Sequence, residues 1–275
     1  MVITQKSDKE LALLQDIFVA TDWGERFAEL IDRHVVLPKK GRMLYLGSGT
    51  GGHAISLHEQ AGNNVSLVGI EENDESLELA RAKATVVREP AEFRSGKLDE
   101  LDLEDNQFDC VIGNASLLSP RRARKMLPEM IRVAVPNGMV AFCLPTYSSF
   151  GEFFSIYWEA LHNCGLIEHE TDVERLITEL PTIAEIEQAA EQNGLENITS
   201  WRQIEEFDYE SGEAFLNAPL ISDFLMHGWL ESVDEEDREK VSREIARIIN
   251  EERHEAEFAL SVKATLVVGQ KAQAH

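Results

Sequence analysis

The sequence predicts an α/β fold, a doubly wound and mostly parallel sheet covered by helices. From residue 41 onward, short apolar runs alternate with segments of helical periodicity. The runs are apolar without strict alternation, which is typical of strands buried on both faces. The predicted strands are RMLYL, NVSLVGI, FDCVIGN, GMVAFCL, a strand within ENITSWRQIEEFDY, and a final strand within EFALSVKATLVVGQK.

The composition is that of a globular chain with a strongly acidic surface. The 275 residues include 26 Lys and Arg against 50 Asp and Glu, a net charge of −24. Such a field repels nucleic-acid phosphates and anionic headgroups, so we expect neither nucleic acid nor a membrane as partner. Apolar stretches fall short of the roughly 18 residues that span a bilayer, and the N-terminus lacks a signal-peptide layout. We therefore expect one cytoplasmic domain over residues 1–275.

Residues 1–40 are predicted to form helices ahead of the first strand. Apolar residues recur there at helical spacing, and Asp22 is placed to cap the second helix. The recurring residues are Leu11, Leu14, Ile17 and Phe18, followed by Phe27, Leu30 and Ile31.

Two helical insertions interrupt the alternation after the core of residues 41–144. They cover residues 145–181 and 211–255, and Thr182 with Glu185 has the pattern of a capping box between them. An aromatic stripe at helical spacing lies in the first insertion. We predict that the insertions form a lid, and that part of the stripe contacts substrate: Phe150, Phe153, Tyr157 and Trp158.

The segment YLGSGTGG, from Tyr45 to Gly52, is the most informative motif. It joins a strand to a helix, and its glycines permit a tight turn and close approach of a ligand to the backbone. Gly47, Gly49 and Gly52 also satisfy the dinucleotide fingerprint, so the loop alone leaves the nucleotide open. Glu71 ends the second strand, where a carboxylate can accept both ribose hydroxyls.

The order of motifs resembles class I S-adenosylmethionine-dependent methyltransferases over about residues 42–144. RMLYLGSGTGG is similar to the glycine loop of that family, and VSLVGIEENDESLELARAKA to its ribose-binding segment. DNQFDCVIGNASLL resembles its fourth-strand motif, and RVAVPNGMVAFCLP the turn into its fifth strand. The Asn/Asp-Pro-Pro-aromatic quartet of amine-methylating nucleic-acid enzymes is absent after Gly113.

The resemblance implies a seven-stranded sheet with the last strand antiparallel and S-adenosylmethionine as cofactor. It also implies residue roles in the cofactor site. The methionine part is assigned to Gly47, Ser48, Gly49 and Thr50, the ribose to Glu71, the adenine to Lys97 and Leu98, and the floor near the methyl group to Asn114, with Tyr45 and Gly51 completing the set. The family usually has an acidic residue at the position of Tyr45 and an Asp at that of Lys97.

The resulting expectation is an enzyme that methylates a small, partly apolar molecule. Two alternatives stay open: a protein that binds S-adenosylmethionine as a sensor without turnover, and an NAD-dependent oxidoreductase. No residue stands out as a catalytic base, because surface or capping roles are expected for His162, His169 and His227. No metal site is expected, and the oligomeric state and the acceptor atom stay open.

Overall fold

The structure, a computed structural model, describes residues 6–87, 91–252 and 257–273. The helices are α1 (Asp8–Leu14), α2 (Glu25–His34), α3 (Gly52–Ala61), α4 (Asp74–Ala84), α5 (Pro120–Val133), α6 (Gly151–Cys164), α7 (Glu170–Glu179), α8 (Ile183–Gln192), α9 (Gly212–Asn217), α10 (Met226–Trp229) and α11 (Glu235–Glu252). Two π-helical segments, Gln15–Gly24 and Leu220–Leu225, and a 3₁₀ turn, Ile167–His169, complete the helical elements of these ranges.

Seven strands form one mixed sheet, which confirms the predicted fold class. They are β1 (Gly41–Leu46), β2 (Val65–Glu71), β3 (Glu92–Ser95), β4 (Phe108–Asn114), β5 (Ala134–Pro145), β6 (Leu195–Tyr209) and β7 (Phe258–Lys271). Their order is β3-β2-β1-β4-β5-β7-β6. The pairs among β1 to β5 are parallel, and the last strands are antiparallel.

The centre of the sheet is buried on both faces, as its apolar runs predict. In register, Tyr45 of β1 lies between Gly69 of β2 and Ile112 of β4. One face packs on α5 and α8, where Met126, Met130 and other apolar side chains are almost fully buried. Because parallel strands end at one edge, the residues after β1, β2 and β4 converge there.

The chain divides into two compact units. A core unit contains the described residues of Lys6–Leu144, of Thr182–Gln203 and from Ala264 onward. A helical unit contains Pro145–Pro181 and the described residues of Ile204–Lys263, so both predicted insertions fall in one unit. Within it, α11 packs against α6 and α9.

The helix at the start of the chain differs from the prediction. The segments Asp8–Leu14, Gln15–Gly24 and Glu25–His34 follow one another without a break, so Asp22 lies inside the π-helical segment and caps nothing. It forms an ion pair with Arg26 instead, at 3.5 Å. The wider turn of the π helix rotates the buried face, so Val19 and Trp23 are buried while Ile17 and Phe18 are exposed.

The capping box at the start of α8 is present as predicted. The Thr182 hydroxyl accepts from the backbone N–H of Glu185, and the Glu185 carboxylate accepts from the backbone N–H of Thr182. Within the described ranges, no helix is both long and apolar enough to cross a bilayer.

Candidate functional site

A cavity of about 560 Å³ opens at the carboxyl edge of β1, β2 and β4. This volume lies within the usual range of small-molecule sites. All of its lining residues belong to the core unit. The predicted site residues that line it are Tyr45, Gly47, Ser48, Gly49, Thr50, Glu71, Leu98 and Asn114.

The glycine loop passes so close to β4 that it excludes a side chain. Gly47 has a φ of +69°, and a Cβ built there would lie 2.3 Å from the carbonyl oxygen of Asn114. The backbone N–H of Gly47 donates to the carbonyl of Ile70 at 3.1 Å. Only glycine satisfies both the left-handed conformation and the close approach, which keeps this part of the cavity wall free of side chains.

The Glu71 carboxylate organises the loop as well as facing the cavity. One oxygen accepts from the backbone N–H of Gly49 at 2.8 Å, and the other accepts from those of Glu72 and Asn73 at 3.0 Å. Burial raises the pKa of Glu71 despite these hydrogen bonds. A carboxylate offers about four lone pairs, so a position for a ligand hydroxyl remains.

The π-helical segment at the start of the chain forms a wall of the cavity that contacts the loop. Asp16 accepts hydrogen bonds from Thr50 and from the ammonium group of Lys83. Lys83 also donates to the Thr50 hydroxyl at 3.1 Å, and the Gln15 side-chain oxygen accepts from Ser76 at 2.9 Å. Although burial opposes it, the bonds from Lys83 and Thr50 lower the pKa of Asp16, so this carboxylate is ionised.

A second polar chain lines the cavity beside α2 and α3. The Tyr45 hydroxyl lies 2.8 Å from Nδ1 of His53, and Nε2 of His53 lies 3.2 Å from a carboxylate oxygen of Asp32. All three residues line the cavity. Burial raises the pKa of Tyr45, against a hydrogen bond with Asn114, so the phenol is neutral. Neither His53 nor Asp32 was predicted as a site residue.

The end of the cavity near β3 is held by an ion-pair network. Arg122 donates to both carboxylate oxygens of Glu72 and to Asp99, the last at 2.7 Å. Glu72 also accepts from the backbone N–H of Leu98 at 3.0 Å. The hydrogen bonds from Arg122 lower the pKa of both Glu72 and Asp99. The network thereby fixes the position of Leu98 in the wall.

Two residues predicted to bind the cofactor, Gly51 and Lys97, are not among the lining residues found in the described chain. Gly51 precedes α3 in a left-handed conformation and supports the turn behind the cavity wall. The Lys97 side chain is largely exposed and pairs with Glu100 at 2.9 Å.

The aromatic residues predicted to contact substrate lie in the helical unit. Phe150, Phe153 and Tyr157 are buried there, whereas Trp158 is 47% exposed. The Phe153 ring stacks on that of Trp229 at a centroid distance of 4.2 Å and lies 5.7 Å from that of Phe215. Phe153 is thus a central packing residue of the unit. The substrate role of these residues stays a prediction.

We expect the stability of two alanine variants to distinguish the buried Phe153 from the half-exposed Trp158. Phe153→Ala removes a fully buried ring and should lower the free energy of unfolding by about 3–5 kcal/mol. Trp158→Ala should cost less than about 1 kcal/mol, because nearly half of that residue is exposed. Urea unfolding of both variants measures the difference. Equal losses would contradict the assignment of Phe153 to the packed interior.

Comparison with known proteins relates part of this chain to methyltransferases. Residues 43–138 match the family model described as a methyltransferase domain. A glycine/sarcosine/dimethylglycine N-methyltransferase from Actinopolyspora halophila is 30% identical over 136 residues, 49% of this chain and 23% of the relative. A demethylmenaquinone methyltransferase from Staphylococcus aureus is 33% identical over 115 residues, 40% of this chain and 47% of the relative. The alignments thus cover less than half of either curated relative.

The fold is also similar to that of solved structures. The YcgJ protein from Bacillus subtilis superposes with a TM-score of 0.60 at 16% identity, covering 91% of this chain and all of that one. At this identity the likeness concerns the fold alone. The domain match contains the glycine loop, Glu71 and Asn114. Over residues 43–138 the chain thus carries a methyltransferase domain of the class I S-adenosylmethionine-dependent type.

Proposed function

We propose that this protein transfers a methyl group from S-adenosylmethionine to a small, partly apolar molecule. The observation that carries the proposal is the cavity of about 560 Å³ where the glycine loop, Glu71 and Asn114 meet at the carboxyl edge of the sheet. The methyltransferase-domain match over residues 43–138 and the curated methyltransferase relatives support it.

The residues present fit this cofactor. The wall at Gly47 has no room for a side chain, so a ligand can lie against the loop backbone. Glu71 keeps a lone pair for a ribose hydroxyl, and Leu98 offers an apolar contact to the adenine. When bound, the cofactor supplies a methyl group on a positively charged sulfur. The protein then has mainly to position the acceptor in line with that group and to exclude water.

The character of the cavity wall indicates which acceptors fit. Val19, Trp23, Leu117 and Leu118 contribute apolar surface. The wall also has several carboxylates, and no Lys or Arg lines it in the described part of the chain; the acidic residues are Asp16, Glu25, Glu29, Asp32, Glu71 and Glu72. Neutral or cationic acceptors are therefore favoured over anionic ones. Demethylmenaquinone, named for one curated relative, meets this requirement, whereas the glycines named for the other carry a carboxylate.

We also propose that the helical unit takes part in selecting the acceptor. Its first segment leaves the sheet after β5, whose end lies at the same edge as those of the other parallel strands. Trp158 and Tyr147 provide exposed aromatic surface in that segment. A cover with such residues would exclude water from the reacting groups.

Calorimetry and a methyl-transfer assay test the proposal together. We expect micromolar binding of S-adenosylmethionine and S-adenosylhomocysteine and none of NAD. Methyl transfer should be detected by mass spectrometry with a demethylated naphthoquinol, and not with dimethylglycine or a phosphorylated amine, the two controls that carry an anionic group. Tight NAD binding without a response to S-adenosylmethionine would favour the oxidoreductase alternative, and binding without transfer to any acceptor would favour a sensor.

The pH dependence of cofactor binding follows from Glu71. Because burial raises its pKa above the ordinary 4.5, this group's contribution to folding stability is present below that value and is lost as pH rises through the folded-state pKa. Ligand binding has the opposite sign, since a ribose hydroxyl donates to the ionised carboxylate. The affinity for S-adenosylhomocysteine should fall as pH drops through the raised pKa. Titrations from about pH 8 to about pH 5 check this, and Glu71→Gln should remove the dependence.

A further inference from the structure

Three side chains along one wall of the cavity form a continuous hydrogen-bonded chain that leads to a carboxylate. Tyr45 of β1 is 2% exposed, and its ring meets that of His53 edge to face at 5.6 Å. His53 lies in the first turn of α3, and Asp32 lies on α2. The side chains of His53 and Asp32 are 19% and 42% exposed, so the chain runs from a buried phenol to a half-exposed carboxylate.

The chemistry of the three groups fixes the direction of the hydrogen bonds. A carboxylate only accepts, so Nε2 of His53 carries the proton that points to Asp32. Burial keeps the Tyr45 phenol protonated, and Nδ1 of His53, 2.8 Å away, is placed to accept its proton. This tautomer is inferred from the network. Each bond polarises the next, so electron density is increased on the Tyr45 oxygen.

The Tyr45 oxygen has room for one more donor. It is also hydrogen-bonded to the Asn114 side chain. The Asn114 side-chain oxygen accepts from the backbone N–H of Ser116 at 3.0 Å, which leaves the amide nitrogen to donate to Tyr45. A phenol oxygen has two lone pairs, so one remains available on the cavity side.

Most other acids of the cavity wall are already paired with a basic side chain or hydrogen-bonded to the backbone. Asp16 pairs with Lys83, Glu29 with Arg33, and Glu72 with Arg122. Glu71 accepts three backbone N–H groups. Asp32 accepts from the Nε2–H of His53, and no Lys or Arg ion pair to it occurs among the described residues. The chain from Tyr45 thus carries a negative charge that the protein itself leaves uncompensated.

We propose that Tyr45, His53 and Asp32 form a relay that binds the α-ammonium group of S-adenosylmethionine and S-adenosylhomocysteine. The Tyr45 oxygen is the contact, His53 connects it to Asp32, and Asp32 supplies the compensating charge. This rests on the proposed function, which places the nucleoside at Glu71 and Leu98. Tyr45 lines the same cavity as Glu71 and Leu98, and the α-ammonium is the cationic hydrogen-bond donor in the amino-acid part of the ligand. The relay couples the charge of a residue on α2 to a phenol on β1.

Two ligands that differ only beyond the thioether test the relay. S-adenosylhomocysteine has the amino-acid group, and 5′-methylthioadenosine lacks it. Tyr45→Phe and Asp32→Asn should each weaken S-adenosylhomocysteine by about tenfold or more, the usual loss of one charge-assisted hydrogen bond. Binding of 5′-methylthioadenosine should stay within about twofold of the parent. Because the residues act as one unit, the double variant should lose little more than the weaker-binding single variant.

Glu59→Gln is the matched control, since Glu59 is an exposed acid on α3, the helix of His53, and is not among the lining residues of the described chain. It should leave both affinities unchanged. If Tyr45→Phe lowers the melting temperature, His53→Gln is the second variant that breaks the hydrogen-bonded chain between Tyr45 and Asp32. The proposal is overturned if Asp32→Asn acts while Tyr45→Phe and His53→Gln are silent, or if the variants weaken both ligands equally. Absence of binding of either ligand to the parent protein would instead contradict the proposed function.

Discussion

Replacing Gly47 by alanine should abolish measurable cofactor binding and lower the free energy of unfolding by about 2–5 kcal/mol. Two costs add in this estimate. The left-handed conformation disfavours a Cβ by about 1–2 kcal/mol, and a steric conflict in a packed region adds about 1–3 kcal/mol. The conflict is with backbone, since the Cβ would lie 2.3 Å from the Asn114 carbonyl oxygen, so rotation of a side chain cannot relieve it. Calorimetric titration and urea unfolding give the two quantities.

Gly165→Ala separates the two costs. Gly165 follows α6 in the left-handed conformation, with a φ of +74° and a ψ of 24°, and a Cβ there meets no atom within 4 Å. This variant should lose only the conformational term of about 1–2 kcal/mol and bind cofactor like the parent. A Gly47→Ala protein that binds cofactor as well as Gly165→Ala does would show that the ligand does not lie against this part of the loop.

Replacing Glu71 by alanine weakens S-adenosylmethionine by about tenfold to a hundredfold or more. Each hydrogen bond to a charged group contributes about 1.5–3 kcal/mol, and about 1.4 kcal/mol corresponds to one decade in affinity. The loop also loses its acceptor for the Gly49 N–H, so the free protein should lose about 1–3 kcal/mol of stability. Titration of the variant and unfolding without ligand measure both effects.

Glu71→Gln and Glu72→Gln are the controls for that experiment. Glutamine at 71 keeps one acceptor oxygen and should fall between the parent and alanine in affinity. Glu72 already accepts hydrogen bonds from Arg122 and from the Leu98 N–H. Its replacement should therefore lower the stability of the protein and leave cofactor affinity nearly unchanged. If Glu71→Ala binds within about twofold of the parent, the ribose is bound elsewhere and Glu72 becomes the candidate.

The central strands could be predicted from sequence because burial on both faces imposes an apolar run. β1, β2 and β4 meet that condition, and their ends position Gly47, Glu71 and Asn114. The pattern did not predict β3, since only Phe93 is buried in its four residues at the edge of the sheet. The π-helical segment was missed as well, because regular helical spacing takes no account of a wider turn.

The candidate site was predictable only where it lies on consecutive motif residues. The loop and Glu71 are of this kind. His53 and Asp32 come from two helices and meet only through the tertiary structure, so nothing in their sequence neighbourhood marks them. His53 directly follows the glycine loop, and that loop follows a strand that carries Tyr45. This arrangement was the signal in the sequence that could have indicated the site. Sequence reasoning considered the histidines of the insertions instead.

The continuous helix from Asp8 to His34 contributes much of the cavity wall, yet it precedes the first residue of the methyltransferase-domain match. The cavity wall is therefore formed by two different stretches of the sequence: the glycine loop within the domain match, and the helix ahead of it. Under the proposed function, substitutions at the apolar wall residues Val19 and Trp23 of the helix would change which acceptors fit while the glycine loop stays intact.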